Sequence, residues 1–454
     1  MIDLLIAFLF IPVLVVSIDF FAQVRSRVNE VGYFPLEDDT PPCTDYTIIV
    51  PIYGNIRYLE NVDYLHQYGQ RVLLTTSAGE TEDFYADLER IAREHDFRTH
   101  VSSLLPSARE VSAQGVKTRA TTGTIRDTIV LDAHDSITSN YVVCIDADTV
   151  TEVSLDYLVG TLKEANLDIA SVVLTPANRD TLLARLQGHE YRMAMRIRRV
   201  MPWMISGGCH VARRQVHLDL MRKHSLFFQG NDIELGLLAN LCEYRVGHIP
   251  FVVPTTVPSH FAQWFHQRRA WAGGEFRLFL VNLKVTLRHP FLYLYGGFIV
   301  IVLVPARWYT LFHPNWTLAA AMVLYVVTLF WANWKTRDAS LLVYPFYTLF
   351  YTLVMVPIGV VAYFEMAIKY KNLGVISIRR QRQHARVASA PSALLVVPAI
   401  TCSPPERNWR RYGLLGESAG ATDGVSETTA PGREPLGVPA GIECSPPQRS
   451  WRRV

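Results

Sequence analysis

The chain of 454 residues is 50% hydrophobic with a mean hydropathy of +0.14, high for a purely soluble protein. A formal net charge of +3 is too small over this length to make nucleic acid the main partner. Six scattered cysteines with no C-x-x-C pair fit a reducing compartment and argue against both a disulfide framework and a zinc site.

Residues 4–18, LLIAFLFIPVLVVSI, are apolar but for one serine, and Phe20 and Phe21 extend the run. That approaches the ~20 residues that cross a bilayer. No basic residue precedes the run and no small-x-small cleavage site follows it, so it does not read as a removable signal. Arg25 and Arg27 come next, which places the following segment on the cytoplasmic side. Residues 1–24 are expected to form an uncleaved transmembrane anchor.

Residues 45–262 have ordinary globular composition, enough for one domain with its own core. YTIIVPIYG (46–54) reads as a buried strand ending at Pro51, and RVLLTTS (71–77) as a second. TEDFYADLERIAREH places Phe84, Leu88, Ile91 and Ala92 at helical spacing behind an acidic first turn. A further helix is expected from Thr122 through Ile125, Ile129 and Ala133. Then comes NYVVCIDADTVT (140–151), an apolar strand ending in Asp146 and Asp148. Positions i and i+2 of extended chain share a face, so the two carboxylates converge. A divalent cation would relieve their repulsion, and hard oxygen ligands suit Mg²⁺ or Mn²⁺. A solvated loop after a core strand is the competing reading. A helix around 153–165 and the strand DIASVVL (168–174) follow. Strands alternating with helices predict an α/β fold, a doubly wound and mostly parallel sheet, with ligands beyond the carboxyl ends of its strands.

Downstream, FFQGNDIELGLLANLCEYRVGHIP (227–250) sets Asp232 at the head of a helix. In QWFHQRRAWAGGEFRLFLVN (263–282), Trp264, Trp271 and Leu278 recur every seven residues beside Phe265, Ala272 and Phe279. That stripe fits core packing or an amphipathic interfacial helix over 263–288. Residues 289–368 hold three apolar runs, read as about three transmembrane helices. With three spans after a cytoplasmic domain, the KYK and RRQRQ that follow would end outside, against the positive-inside rule. Either the long run 341–366 is re-entrant or one segment does not span. The tail, 375–454, is rich in Pro, Gly, Ser and Ala and is expected to be disordered. It repeats CSPPERNWRR (402–411) as CSPPQRSWRR (444–453), either a docking element for a protein partner or a membrane surface, or a duplication without a role. Arg192, Arg196, Arg198 and Arg199 read first as a solvated face and second as contacts to anionic lipid or diphosphate. His189, His210, His260 and His266 share no spacing and read as structural or incidental. Cys144 and Cys209 read as small buried residues.

Taken in order, these motifs resemble the family-2 glycosyltransferases of the membrane-embedded hyaluronan, chitin and cellulose synthase type. The match runs through VPIYGN, the strand ending in D-x-D, SGGCHVARR (206–214), the carboxylate opening a helix before YRVGHIP, and a Q-x-x-R-W-like motif leading into apolar spans. The resemblance implies a GT-A-like domain followed by transmembrane helices, in a multi-pass protein of the cell membrane with its catalytic domain in the cytoplasm. It implies an inverting transfer from a nucleotide-sugar donor, a UDP-sugar, to a growing polysaccharide. Transfer to a lipid-linked acceptor and a non-catalytic scaffold are the alternatives. By position, Asp146 and Asp148 would hold Mg²⁺ or Mn²⁺ and the donor diphosphate, and Asp232 would be the general base. Gln267, Arg268, Arg269 and Trp271 would contact diphosphate and acceptor sugar, and Lys117 would lie near the nucleotide. Three positions depart from the pattern. Thr75, Thr76 and Ser77 stand where an aspartate contacts the nucleotide base, Asn231 precedes Asp232, and Ala270 replaces the motif arginine.

Overall fold

The computed structural model describes residues 40–103, 125–286, 304–312, 316–334 and 338–376. The N-terminal anchor, Lys117, almost all of the first expected span and the repeat-bearing tail lie outside these residues.

Seven strands form one sheet in the order β3-β2-β1-β4-β6-β5-β7. They are β1 (Tyr46–Pro51), β2 (Val72–Ser77), β3 (Arg98–Ser102), β4 (Tyr141–Ile145), β5 (Ile169–Pro176), β6 (Cys209–Arg213) and β7 (Val246–Thr255). β1 and β4, YTIIVP and YVVCI, are buried along their whole length, as strands covered on both faces must be. β1 pairs parallel with β2 and β4, β2 with β3, and β5 with β7. β6 runs antiparallel between β4 and β5. The sheet is thus mostly parallel, as expected, with one inserted reversal.

Helices cover both faces. On one, Ile48, Val50, Val143 and Ile145 pack against α1 (Glu82–His95) and α3 (Leu155–Glu164) through Leu88, Leu158 and Leu162. α1 starts where Thr81 caps the Phe84 N–H and ends at Asp96 in the left-handed region, a complete pair of start and stop signals. On the other face, Ile49, Val142 and Cys144 meet α2 (Ile125–Ala133), α5 (Arg214–Lys223) and α6 (Asn231–Leu241) through Val130, Leu220 and Leu238. The long α4 (Leu182–Val200) contributes to both layers through Met195 and Ile197.

After β7 the chain enters α7 (Phe261–Phe276), continued by a π-type turn over Arg277–Val281. Two helices follow, α8 (Val304–Phe312) and α9 (Trp316–Ala332), and then α10, Tyr344–Tyr370. Among the described residues, α10 is the one helix long and apolar enough to cross a membrane. Its 27 residues extend about 40 Å at the α-helical rise. A π-type turn over Tyr351–Met355 precedes Pro357, which has no N–H to give the ladder. α10 lies along α7, with Trp264 against Tyr347 at one end and Phe276 against Tyr363 at the other. The helices approach closely at Gly273 and Gly359, where a Cβ on Gly273 would stand 2.6 Å from the Gly359 carbonyl. Of the seven-residue stripe, Trp264, Ala272, Leu278 and Phe279 are buried and Phe265 and Trp271 half-buried.

Candidate active site

Asp146 and Asp148 stand where β4 stops, and the turn between them is held by backbone. The Asp146 N–H donates to the Gly208 carbonyl at 2.9 Å, and the Thr149 N–H donates back to the Asp146 carbonyl at 3.2 Å. Asn61 Nδ2 donates to the Asp146 and Thr149 carbonyls at 3.1 and 2.7 Å. The backbone N–H groups of Glu60 and Asn61 both donate to the Ala147 carbonyl. The segment after β1 therefore grips the turn from outside and fixes where both acids point. Burial, and next the neighbouring Asp146 charge, push the Asp148 carboxyl up to about 6. Like charges gathered in a partly dehydrated spot favour a proton or a cation.

A cation is already present. Arg126, on α2, donates from Nε and Nη2 to Asp146 Oδ1 at 3.0 and 2.8 Å, and from Nη2 to the Gly207 carbonyl at 2.7 Å. It therefore ties the D-x-D acid to the SGG segment before β6. That segment lies between the two expected functional groups. A Cβ on Gly207 would meet Asp232 Oδ2 at 3.1 Å, and one on Gly208 would meet Asp146 Oδ2 at 3.7 Å. The glycines leave room that side chains would fill.

Asp232 occupies the first turn of α6, entered through Gly230 at φ +89°, a conformation that favours glycine. Burial raises the Asp232 carboxyl above its ordinary range, and Arg198 and then Arg126 pull it back. Arg198 is buried, which corrects the solvated-face reading at that position. α6 is anchored from below by Glu234, whose carboxylate bonds the Ser225 N–H and hydroxyl and pairs with Arg277 Nη2 at 2.6 Å.

The Gln267–Trp271 motif lies on α7. Arg268 is fully buried and committed: Nη2 donates to Glu190 Oε2 at 2.8 Å and Gln187 Oε1 at 3.3 Å, and Nη1 donates to Gln267 Oε1 at 2.6 Å. Its guanidinium stacks 4.1 Å from the Trp271 ring centre. Glu190 also accepts from the Tyr347 hydroxyl at 2.6 Å, which links the motif to α10. Arg269 is exposed and Trp271 half-buried. Tyr191, next to Glu190, has its ring 6.4 Å from Trp271 and feels the charges of Asp148 and Asp146. Arg126, Asn61 and Tyr191 carry no sequence signal of their own because they stand in no motif.

Thr75, Thr76 and Ser77 are buried within β2. Just beyond them Glu80 Oε2 accepts from the Gly54 N–H at 2.9 Å, so an acid does follow the second strand, displaced by a few residues.

Residues 141–364, from β4 through most of α10, match the family model described as glycosyl transferase family group 2. Residues 141–364 therefore form a family-2 glycosyltransferase region. Among solved structures, a mannosyltransferase from Pyrobaculum calidifontis, in complex with GDP-Man and Mn²⁺, aligns over 80% of this glycosyltransferase and 99% of its own chain, at 14% identity and TM-score 0.50. That likeness shows a shared fold. A glucosyl-3-phosphoglycerate synthase from Mycobacterium tuberculosis, in complex with Mn²⁺, UDP and glucosyl-3-phosphoglycerate, aligns over 50% of this chain and 77% of its own, at 15% identity and TM-score 0.34. No curated protein matches the glycosyltransferase in sequence.

Proposed function

We propose that this enzyme is a membrane-bound inverting glycosyltransferase that moves a sugar from a nucleotide-sugar donor, UDP-linked, to a growing polysaccharide. The observation that carries the reading is the Gly207–Gly208 segment, which approaches Asp146 of the D-x-D pair at one glycine and Asp232 at the other. A donor diphosphate at Asp146 and Asp148 would present its sugar toward Asp232. Asp232 takes the acceptor hydroxyl proton as that oxygen bonds to the anomeric carbon. The carbon–oxygen bond to the diphosphate breaks on the opposite face, which inverts the centre.

The donor set fits a hard divalent cation: two carboxylates, one of them pushed upward by burial and its neighbour, in the company of an arginine. Asp146 and Asp148 would hold Mg²⁺ or Mn²⁺, which would neutralise charge on the departing diphosphate. Arg126 adds a fixed guanidinium at the same place. The mannosyltransferase of like fold, in complex with GDP-Man and Mn²⁺, supports this assignment. Trp271, held flat by Arg268, offers a face for the acceptor sugar. Gln267 and Arg269 stand beside it on α7, and Lys117 is retained as a donor contact on sequence grounds.

Membrane attachment is supported by α10 and its exposed Phe346, Val361, Phe364 and Ile368. That apolar face runs beside α7, where a lipid-linked acceptor would reach Trp271 from the side; transfer to such a lipid is the second reading. Membranes incubated with labelled nucleotide sugars separate the two by product length. A long polymer supports the first, and a short organic-extractable product supports the second. Transfer should cease in EDTA and in Asp146→Ala; activity untouched by both would remove the metal assignment.

A further inference from the structure

The sheet layer covered by α2, α5 and α6 holds a second cluster with different chemistry. Cys144 on β4 and His210 on β6 are direct partners across the antiparallel ladder, so their side chains leave the same face. α5 starts immediately after β6 and lays His217 over the pair. His217 Nε2 lies 3.1 Å from His210 Nε2 and 3.7 Å from Cys144 Sγ. All three ligand atoms fall within 4.8 Å of one another. The other ring nitrogen of His217, Nδ1, is 2.7 Å from His134 Nε2. None of the four side chains is more than 3% exposed.

We propose that Cys144, His210 and His217 form a zinc site that fastens β4, β6 and α5 together beneath the D-x-D turn. Tetrahedral zinc at ~2.0–2.1 Å from nitrogen and ~2.3 Å from sulfur separates neighbouring ligand atoms by roughly 3.3–3.6 Å. The observed spacings bracket that range. One thiolate and two imidazoles select zinc, whereas Asp146 and Asp148 offer hard oxygens suited to Mg²⁺ or Mn²⁺, so the two sites take different ions. His134 supplies the outer partner that sets the ring orientation of His217.

Burial favours neutral imidazoles at His134, His210 and His217, the form that ligates. Zinc would displace the Cys144 thiol proton, which leaves to solvent as the Zn–S bond forms. Zinc with one thiolate and two neutral imidazoles carries a net single positive charge. The charged groups acting on Cys144 are Arg126, Asp127 and Asp146, and Asp127 has a buried Oδ2 without a hydrogen-bond partner. Three protein ligands leave a fourth position open. The cluster was invisible to cysteine spacing because its ligands come from two strands and a helix.

The full chain, produced in zinc-supplemented cells and purified in detergent without other divalent ions, should contain stoichiometric zinc by elemental mass spectrometry. Asp146→Ala should keep the zinc, while Cys144→Ala and His217→Gln should lose it. Because either substitution in the cluster could unfold the chain, the wild-type protein supplies a second readout. Exchanged with Co²⁺, it should show a thiolate-to-cobalt charge-transfer band. Folded wild-type protein that carries no zinc and gives no such band overturns the proposal, as does zinc that disappears with Asp146→Ala.

Discussion

Asp232 is held in a balance that suits a base: burial raises its carboxyl, and Arg198 and Arg126 limit the rise. Replacing it with Asn keeps the shape and removes the proton acceptor, so Asp232→Asn should lower kcat by about 10²- to 10⁴-fold with unchanged folding. Its raised pKa fixes the sign of the pH effect. The active, deprotonated form is lost as pH falls through a value above the ordinary carboxylate range of about 4. The acid limb of kcat/KM against pH should lie there, and a limb at or below the ordinary range would speak against Asp232. Arg126 makes a two-nitrogen contact to Asp146 that lysine cannot reproduce. Arg126→Ala should reduce kcat/KM for the donor by about 10- to 100-fold, the scale of a charged hydrogen bond. Arg126→Lys should recover only part of the loss. Asp146 and Asp148 were legible because acids at i and i+2 after an apolar strand gather like charge where such sheets bind ligands. Arg126 was not, since its meaning comes from a partner twenty residues away that only the fold supplies.

The helix carrying Asp232 is fixed by a fully buried ion pair. Burial alone would raise Glu234, but Arg277, His224 and the hydrogen bonds from Ser225 together outweigh it and hold the carboxyl below its usual range. The same guanidinium bonds Ser225 and the Gly374 carbonyl, so α6, the turn after α7 and the chain after α10 meet at one side chain. Arg277→Met would strand a buried carboxylate and should cost about 3–5 kcal/mol in denaturation. Adding Glu234→Gln should restore part of that, and a cost near zero would show the pair to be dispensable. Packing of α7 on α10 should be equally unforgiving, because a Cβ on Gly359 would stand 2.7 Å from the Gly273 nitrogen and from the Ala272 Cβ. Gly359→Val should loosen that contact and lower thermal stability more than an exposed substitution such as Val361→Ala. The well-patterned elements β1, β2, β4, β5, α1 and α3 were readable from apolar runs and caps. β3 was not, because RTHVS is a half-exposed edge strand with little apolar signal. β6 was hidden inside SGGCHVARR, and its reversed direction is a property of the sheet rather than of its five residues.

At the scale of the whole molecule, the position of α10 bears on which side the tail begins. Near its start, Ser340 bonds His189 of α4 at 2.8 Å and Tyr347 bonds Glu190. Past its end, Gly374 meets Arg277, and the Ile376 N–H donates to Asn282 at 2.6 Å. Both ends of the helix therefore lie against the catalytic domain. An unbroken 27-residue helix does not turn back on itself as a re-entrant loop does. If these contacts keep it along the domain rather than across a bilayer, KYK stays on the domain's own side, in accord with the positive-inside rule. A tag at the carboxyl terminus should be reachable from the same side of sealed vesicles as the catalytic domain; access from the opposite side would contradict this placement. The central claim is transfer from a nucleotide sugar with Asp232 as base. Its most direct test offers a panel of nucleotide sugars, with Mn²⁺ or Mg²⁺, to the purified full-length protein in detergent and follows sugar transfer. The account predicts turnover of a UDP-sugar that stops in EDTA and in Asp232→Asn. Folded protein that consumes no donor, or an Asp232→Asn variant as active as wild type, would contradict it.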